Sequence, residues 1–259
     1  MITSPHNPKV QRVRGLLEKR KEREAQQACV LEGVRLIEEA LAAAWPVELV
    51  LYTSQLSPRG RDVLDGLSAA RAEMFEIPAH VMDSLAGTDT PQGILAVFGV
   101  RPPPLPAQLD FVLIADNLRD PGNLGTLLRT AAAAGVQAAL LAPGTTDAFA
   151  SKVLRAGMGA HFRLPTVHLG WEEIEAVCKD RPQPLRVFLA EAAAGAACWD
   201  LDLRQPLALL VGSEADGPSP AGRALGDQPV AIPMPGESES LNAAIAAGVL
   251  LFEVVRQRR

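Results

Sequence analysis

Residues 229–259 read PVAIPMPGESESLNAAIAAGVLLFEVVRQRR, and this stretch decides the fold of the carboxyl-terminal half of the chain. Val230 and Ile232 are typical of a short strand, Pro233 ends it, and Gly236 permits backbone conformations that a Cβ atom disfavours. The apolar residues after this turn recur every three or four positions, which predicts a closing α-helix. They are Leu241, Ala244, Ile245, Gly248, Leu251, Phe252 and Val255.

The start of this helix carries an unusual number of polar side chains. They are Glu237, Ser238, Glu239, Ser240 and Asn242. Ser238 or Ser240 is expected to cap the helix by accepting from its first free amides. A capped terminal helix and a loop that binds a ligand both agree with this pattern, because free amides at a helix start also attract ligands.

Working outward, two wholly apolar segments of the same half predict buried parallel strands, Phe111–Ala115 and Leu207–Val211. The second strand runs into GSEADGPSP, residues 212–220, which places Glu214 just beyond its carboxyl end. Open α/β sheets bind ligands at that edge. The first strand runs into a predicted helix with Asn123 as its expected N-cap. Arg129 lies in this helix, either exposed on its surface or directed at a phosphate or ribose.

The amino-terminal residues 1–98 alternate between predicted helices and strands, which is typical of a compact α/β domain. Helices are expected at residues 8–26, 33–41, 58–70 and 79–85, and strands at residues 28–31, 47–52, 73–77 and 93–98. Residues 99–109, GVRPPPLPAQL, contain four prolines and predict a semi-rigid linker. The predicted domains are therefore residues 1–98 and 110–259.

Composition narrows the class of protein. The chain has 259 residues, of which 48% are hydrophobic, which is enough for the core of one large domain or of two small ones. The apolar run at residues 243–252 is about half of a membrane span, and no signal sequence is evident, so we expect a cytoplasmic protein. Three cysteines without CxxC spacing predict neither disulfides nor a zinc site, and no other metal pattern is present.

A basic segment lies near the amino terminus although the net charge is −5. Residues 1–35 hold eight lysines and arginines against four glutamates, a local balance of +4. The candidate nucleic-acid-binding residues are Lys9, Arg12, Lys19, Arg20, Lys21, Arg23 and Arg35, with Arg155 from the second half of the chain. The alternative is a solvated helix with internal ion pairs, and the charge pattern alone does not decide between the two.

Three segments together resemble the signature motifs of the SPOUT superfamily, in its SpoU/TrmH branch of RNA ribose methyltransferases. They are DNLRDPGNLGTLLRTAAAAG at residues 116–135, LLVGSEADG at residues 209–217 and IPMPGESESLN at residues 232–242. Residues 151–165, SKVLRAGMGAHFRLP, are similar to the middle region of the family. Residues 1–98, which end in TDTPQGILAVF, resemble the ribosomal-protein-like substrate-binding domain that often precedes it.

The resemblance implies an α/β fold class: a parallel-sheet domain with a deep trefoil knot, preceded by a small α/β RNA-binding domain. It implies S-adenosylmethionine as the cofactor and a homodimer with the site at its interface. The implied cofactor-binding residues are Gly212, Ile232, Met234 and Leu241. The implied catalytic set is Arg129, which acts on the ribose hydroxyl, with Asn123, Glu214, Ser240 and Asn242.

The expected activity is methylation of a ribose 2′-hydroxyl in RNA, with ribosomal RNA favoured over transfer RNA because of the ribosomal-protein-like first domain. A guanidinium stays charged at neutral pH, so Arg129 is expected to orient the hydroxyl while phosphate or water takes the proton. Alternatives are an RNA-binding assembly factor without catalysis, and a transfer-RNA or antibiotic-resistance methyltransferase of the same family. No metal and no membrane partner is expected.

Overall fold

The computed structural model describes residues 1–191, 195–214, 216–236 and 240–259, and the chain forms two compact units. Unit 1 consists of Met1–Arg101 and Phe149–Phe162, and unit 2 consists of Pro102–Ala148 and Arg163–Arg259. Residues 149–162 therefore pack with the amino-terminal half, whereas the sequence analysis grouped them with the carboxyl-terminal domain. The domain limits at residues 98 and 110 remain a proposal.

Unit 1 is a four-stranded sheet covered by helices. Its elements are α1 (Pro8–Glu18), α2 (Arg20–Gln26), β1 (Ala28–Glu32), α3 (Val34–Ala42), β2 (Val47–Tyr52), α4 (Pro58–Ala69), β3 (Glu73–Glu76), α5 (Ala79–Asp83), β4 (Ile94–Gly99) and, from the later segment, α7 (Ser151–Gly157). The strand order is β1-β4-β2-β3, with only the β2–β3 pair parallel.

Strands β1 and β4 of unit 1 are buried on both faces because helices cover both sides of the sheet. Cys29 and Leu31 of β1 belong to one core cluster, which α3, α4 and α7 complete. Val30 belongs to the other, with α1 and α5. Alternate residues of a strand point to opposite faces, so a short wholly apolar strand is what a sheet between two helical layers requires.

The predicted single helix over residues 8–26 is wrong, because two helices meet at Lys19, whose backbone is extended. Arg23 explains how the break is stabilised. Its guanidinium is buried and donates to the carbonyls of Leu16 at 2.6 Å and Leu17 at 3.2 Å. These carbonyls belong to the last turn of α1, where helix carbonyls have no partner within the helix.

Residues 149–162 add an aromatic and aliphatic patch to the core of unit 1. Leu154 and Phe162 are members of the cluster formed by β1, α3 and α4. The centroid of the Trp45 ring lies 4.9 Å from the centroid of the Phe162 ring and 6.2 Å from that of the Phe149 ring. On α7, Arg155 forms an ion pair with the buried Glu32 at 2.6 Å.

Unit 2 is a parallel sheet of seven strands, which agrees with the fold class expected from the sequence. Its elements are β5 (Phe111–Ala115), α6 (Pro121–Ala133), β6 (Ala138–Leu141), β7 (Thr166–His168), α8 (Trp171–Lys179), β8 (Arg186–Ala190), β9 (Ala196–Ala197), β10 (Leu207–Val211), α9 (Pro220–Leu225), β11 (Gln228–Ala231) and α10 (Ala243–Gln257). The strand order is β7-β6-β5-β10-β8-β11-β9.

The centre of this sheet is where the sequence predicted it. All five residues of β5 and of β10 are buried, and the two strands pair in parallel from Leu207 opposite Phe111 to Val211 opposite Ala115. Both strands therefore end side by side, and the loops that follow them start from one edge. Among the described residues, no helix has the length and apolar character that crossing a membrane requires.

Candidate active site

The loop after β10 is closed by its own backbone. Ser213 and Gly217 exchange two hydrogen bonds of 3.0 Å, and Gly217 has φ of +66°, a conformation that favours glycine. A Cβ atom on Gly212 would lie 2.1 Å from the carbonyl carbon of Gly217. Glycine at both positions thus allows the tight turn that projects Glu214 from the sheet edge.

Asp116, at the end of the neighbouring strand β5, anchors the far end of this loop. It is fully buried, and its Oδ2 accepts from the backbone amide of Ser219 at 2.7 Å. Ser219 is in turn the N-cap of α9, with its hydroxyl accepting from Gly222. The loop from Gly212 to Ser219 is therefore fixed at both ends.

The N-cap of α6 is Asp120, so the expectation that Asn123 caps this helix is wrong. The Asp120 side chain accepts from the amide of Asn123 at 2.8 Å, and Pro121 occupies the first helical position. Proline suits that position because its fixed φ is helical and no amide is needed there. The side chain of Asn123 is therefore not used as a helix cap. Its Nδ2 instead donates to Oε1 of Glu214.

The N-cap of α10 is Asn242 and not Ser240, while Ser238 lies outside the described residues. Oδ1 of Asn242 accepts from the amides of Ala244 at 3.0 Å and Ile245 at 3.3 Å. Its Nδ2 donates to Oδ1 of Asn123 at 3.0 Å and to Oε1 of Glu214 at 3.4 Å.

Asn123, Glu214 and Asn242 therefore form one hydrogen-bonded group, called here the polar cluster. Its members come from the three separate sequence motifs and follow β5, β10 and β11 in the chain. All three are polar and lie at least partly in solvent. The fold thus assembles acceptors and donors at the edge of a parallel sheet, where a ligand can reach them.

Beside the polar cluster lies a cavity of about 500 Å³, called the main cavity, with Glu214 in its wall. The described residues that line it are Ala190, Glu191, Val211, Gly212, Ser213, Glu214, Gly217, Pro218, Arg223, Val230, Ile232, Met234, Ser240, Leu241, Ala243, Ala246 and Leu250. The wall contains every residue predicted to bind the cofactor, together with Ser240 of the predicted catalytic set. Most of the wall is apolar, as is usual for small-molecule sites.

Arg129 is the predicted catalytic residue that the structure does not bring to the main cavity. It is exposed on α6, outside the cavity wall, six residues beyond Asn123. Successive helical residues turn by about 100°, so these two side chains leave α6 in different directions. Glu237 and Glu239, two of the polar residues at the predicted helix start, lie outside the described residues.

Two charged residues in the wall of the main cavity were not predicted from the sequence. Glu191 follows directly after β8, and Arg223 of α9 forms an ion pair with its Oε1. The signal for Glu191 was present, because an acidic residue immediately after a buried strand is the same pattern that identified Glu214.

The basic residues predicted to bind RNA fall into three groups in unit 1. Lys9, Arg12 and Arg20 form ion pairs with Glu73, Glu48 and Glu24. Arg23 is buried, and Arg155 pairs with Glu32. Lys19, Lys21 and Arg35 are exposed to solvent. The ion pairs favour the solvated-helix interpretation for the first group, and burial removes Arg23 from the residues available to RNA.

Arg35 and Arg155 lie in the wall of a second cavity, of about 420 Å³, within unit 1. Glu32, Thr88, Thr90 and Gln92 are among its other lining residues. The cavity opens between the start of α3 and the loop that precedes β4, so it offers both charged and hydrogen-bonding side chains.

Comparison with known proteins identifies both units. Residues 110–252 match the SpoU rRNA Methylase family, and residues 7–96 match the MRM3-like substrate binding domain. The 23S rRNA (guanosine(2553)-2′-O)-methyltransferase RlmP of Bacillus subtilis is 33% identical, with 98% of each chain covered. The 23S rRNA (uridine(2479)-2′-O)-methyltransferase of Streptomyces viridochromogenes is also 33% identical, covering 99% of this chain and 92% of the relative.

Among solved structures, the chain is similar to the SpoU methyltransferase AviRb from Streptomyces viridochromogenes in complex with the cofactor AdoMet. The TM-score is 0.90 at 31% identity, and 98% of each chain is covered. The similarity extends over both units and over the elements that build the polar cluster.

Proposed function

This chain belongs to the SpoU rRNA methylase family, and from that membership we propose that it transfers a methyl group from S-adenosylmethionine to a ribose 2′-hydroxyl of ribosomal RNA. The observation that carries the proposal is the polar cluster, since the three family motifs meet there beside the main cavity. Two relatives of equal identity carry the names of guanosine and uridine methyltransferases, so the target nucleoside stays open.

The main cavity fits the proposed cofactor. Its volume of about 500 Å³ lies within the usual range for small-molecule sites, and its apolar wall suits an adenine ring. The close turn at Gly212 and Gly217 lets backbone approach a ligand as well as itself. We propose that Gly212, Ile232, Met234 and Leu241 hold the cofactor, with the carboxylate of Glu214 near its sulfonium charge.

When bound, S-adenosylmethionine supplies an activated methyl group whose carbon–sulfur bond breaks as the ribose oxygen bonds to carbon, which leaves a neutral thioether. The hydroxyl must lose its proton in the same process. The chain's contribution is mainly to hold the hydroxyl in line with this bond, and such positioning can supply about 7–11 kcal/mol in favourable cases. Asn123, Glu214 and Asn242 fix one another by hydrogen bonds, as positioning requires.

Arg129 is proposed to bind the RNA beside the reacting ribose. A guanidinium is always charged in proteins, and its planar donors match a phosphate group. Arg129 therefore donates to the ribose hydroxyl or its neighbouring phosphate, and water or phosphate accepts the proton. We also propose that Ser240 contributes its hydroxyl to this site.

We further propose that the chain is a homodimer. Four apolar side chains of the α10 region are exposed, namely Leu241 at 40%, Ile245 at 57%, Val249 at 38% and Phe252 at 48%. Their spacing of three and four residues places them on one face of the helix. Apolar faces of this kind mark interaction sites. We propose that the interface extends to α6, which packs against α10 and exposes Arg129.

For unit 1, we propose that the exposed cations Lys19, Lys21 and Arg35, together with Arg155, contact the RNA. The match of residues 7–96 to a substrate-binding domain supports this role. We also propose a deep trefoil knot in residues 110–259 and a cytoplasmic location, where ribosomal RNA is found. Both proposals rest on membership of the family.

Transfer of a labelled methyl group from S-adenosylmethionine to isolated ribosomal RNA tests the activity. Ribose methylation should then be mapped in total RNA with and without the gene. Loss of one 2′-O-methyl group from ribosomal RNA is expected, whereas an unchanged map together with no transfer in vitro contradicts the proposal. Loss confined to transfer RNA would correct the substrate class.

A further inference from the structure

Glu191 is a charged residue of the main cavity to which the proposed reaction assigns no role. Its backbone amide donates to the carbonyl of Val230 at 3.0 Å, which fixes the residue between the ends of β8 and β11. Its side chain is only 13% exposed. Removing a carboxylate from water is costly unless it has hydrogen-bond partners. A carboxylate kept in a mostly apolar wall therefore indicates hydrogen-bond partners of its own.

Arg223 is one hydrogen-bond partner of Glu191, and it orients the Glu191 carboxylate. Its Nη1 donates to Oε1 of Glu191. An ionised carboxylate has about four acceptor sites, so this contact leaves capacity for a bound molecule. Because Glu191 also lies in the cavity wall, that capacity is directed to whatever the cavity holds.

The position of Glu191 indicates which chemical group it accepts from. It stands at the carboxyl end of a parallel strand, next to β10 and its tight loop. In dinucleotide-binding sheets, an acidic residue at this edge accepts hydrogen bonds from ribose hydroxyls. The main cavity also lies at the carboxyl edge of a parallel sheet, and under the proposed function it holds a nucleoside.

The two carboxylates of the cavity belong to different hydrogen-bonded groups. Glu214 belongs to the polar cluster, where the methyl group must meet the RNA. Glu191 follows a different strand and is bonded to Arg223 instead. We propose that the carboxylate of Glu191, oriented by Arg223, accepts hydrogen bonds from the ribose hydroxyls of the cofactor's adenosine. This inference rests on the proposed function.

The test measures binding by calorimetry, apart from methyl transfer. The ligands are S-adenosylhomocysteine and 5′-methylthioadenosine, which keeps the ribose but lacks the amino-acid end. Glu191→Ala should weaken both by about tenfold or more, the usual loss for hydrogen bonds to a charged acceptor. Glu191→Gln, which keeps one acceptor oxygen, should weaken them less. Glu172→Ala removes an exposed carboxylate of α8 and should change neither.

A ligand-side comparison avoids dependence on how the variants fold. Wild-type protein should bind 2′-deoxy-5′-methylthioadenosine more weakly than 5′-methylthioadenosine, and Glu191→Gln should reduce this difference. If Glu191→Ala weakens only S-adenosylhomocysteine, the carboxylate contacts the amino-acid end and the inference is overturned. Equal binding by variant and wild type overturns it as well. Wild-type protein that binds neither ligand overturns the proposed function and this inference together.

Discussion

Nδ2 of Asn242 donates to Oδ1 of Asn123 over 3.0 Å, while Oδ1 of Asn242 caps helix α10. One side chain therefore does two things. It accepts hydrogen bonds from two free amides at the helix start, and it fixes the position of Asn123 in the polar cluster. The start of α10 cannot shift without disturbing Asn123. Because Oδ1 caps the helix and Nδ2 donates to Asn123, a substitution that keeps only the cap separates the structural contribution of Asn242 from its catalytic one.

Asn242→Ser should reduce methyl transfer by at least tenfold with little loss of stability. Serine is a good N-cap, so the helix keeps its acceptor, but it lacks the amide that donates to Asn123. Asn242→Ala should lose both functions, with about 1 kcal/mol of unfolding free energy lost with the cap. Urea unfolding and methyl-transfer rates check the pair. Equal activity of Asn242→Ser and wild type would remove this hydrogen bond from the mechanism.

Arg129→Ala should abolish methyl transfer and leave the affinity for S-adenosylhomocysteine nearly unchanged, because Arg129 lies outside the wall of the main cavity. Arg129→Lys should restore only part of the rate, since an ammonium cannot form the paired contacts of a guanidinium. Arg204→Ala, which removes an exposed arginine paired with Asp202, is the control. Wild-type rates in Arg129→Ala would exclude the residue from catalysis.

Replacing Lys19, Lys21 and Arg35 together by Ala should weaken RNA binding and make it less sensitive to salt. Each lost phosphate contact should lower the slope of log K against log salt by about 0.7–0.9. Replacing Lys9 and Arg12, which are engaged by Glu73 and Glu48, should have a smaller effect. Titration of labelled RNA at several salt concentrations measures both slopes. Identical slopes for the two variants would show that Lys19, Lys21 and Arg35 are ordinary solvated residues that do not contact RNA.

Ile245→Glu combined with Phe252→Glu should produce monomers. Both side chains are about half exposed, so the charges cost little in the monomer but would be buried in a dimer. Light scattering after gel filtration gives the mass of each species. Glu172→Gln serves as a surface control on α8. A wild-type chain that is already monomeric at micromolar concentration would contradict the proposed dimer.

Cys178 should make stability fall at high pH. Burial, the largest cause, raises the pKa of its thiol from 9.0 to about 11, against the smaller opposing effects of Lys179 and Arg181. In the unfolded chain the thiol ionises near pH 9, so the stabilisation is complete below that pH and is lost as the pH rises towards 11. The unfolding free energy of wild type should decline more steeply over this window than that of Cys178→Ala. Parallel declines would show that the thiol does not contribute.

The sequence predicted the sheet of unit 2 well because β5 and β10 are short, wholly apolar and followed by turn residues. The family resemblance implied Gly212 and Leu241 as cofactor residues and the strand pattern singled out Glu214; the three lie in one cavity wall, and their roles stay predictions. The sequence pattern failed where several residues compete for one local role. Asp120 and Asn123 are both good caps, and the preference of Pro121 for the first helical position decided between them.

Long-range contacts were also beyond the sequence pattern. Glu191 and Arg223 are 32 residues apart, and nothing in their spacing indicates an ion pair. Lys9 and Glu73 are separated by 64 residues, so a charge count for residues 1–35 could not include the acid that neutralises this lysine. The family resemblance implied which residues belong to the site. It gave no indication that Lys9, Arg12 and Arg20 form ion pairs with glutamates of the same unit.

The packing of residues 149–162 into unit 1 determines how the chain can be divided. The backbone passes between the units three times, after residues 101, 148 and 162. A protease nick in the proline-rich linker would therefore leave two fragments that only the non-covalent packing of residues 149–162 against residues 1–101 holds together. A fragment ending at residue 101 would lack Leu154 and Phe162 and would expose apolar core surface, at a cost of about 1.5–3 kcal/mol for each missing side chain. Unit 1 is thus not separable from the rest of the chain at the linker, and truncations placed there should yield an insoluble product.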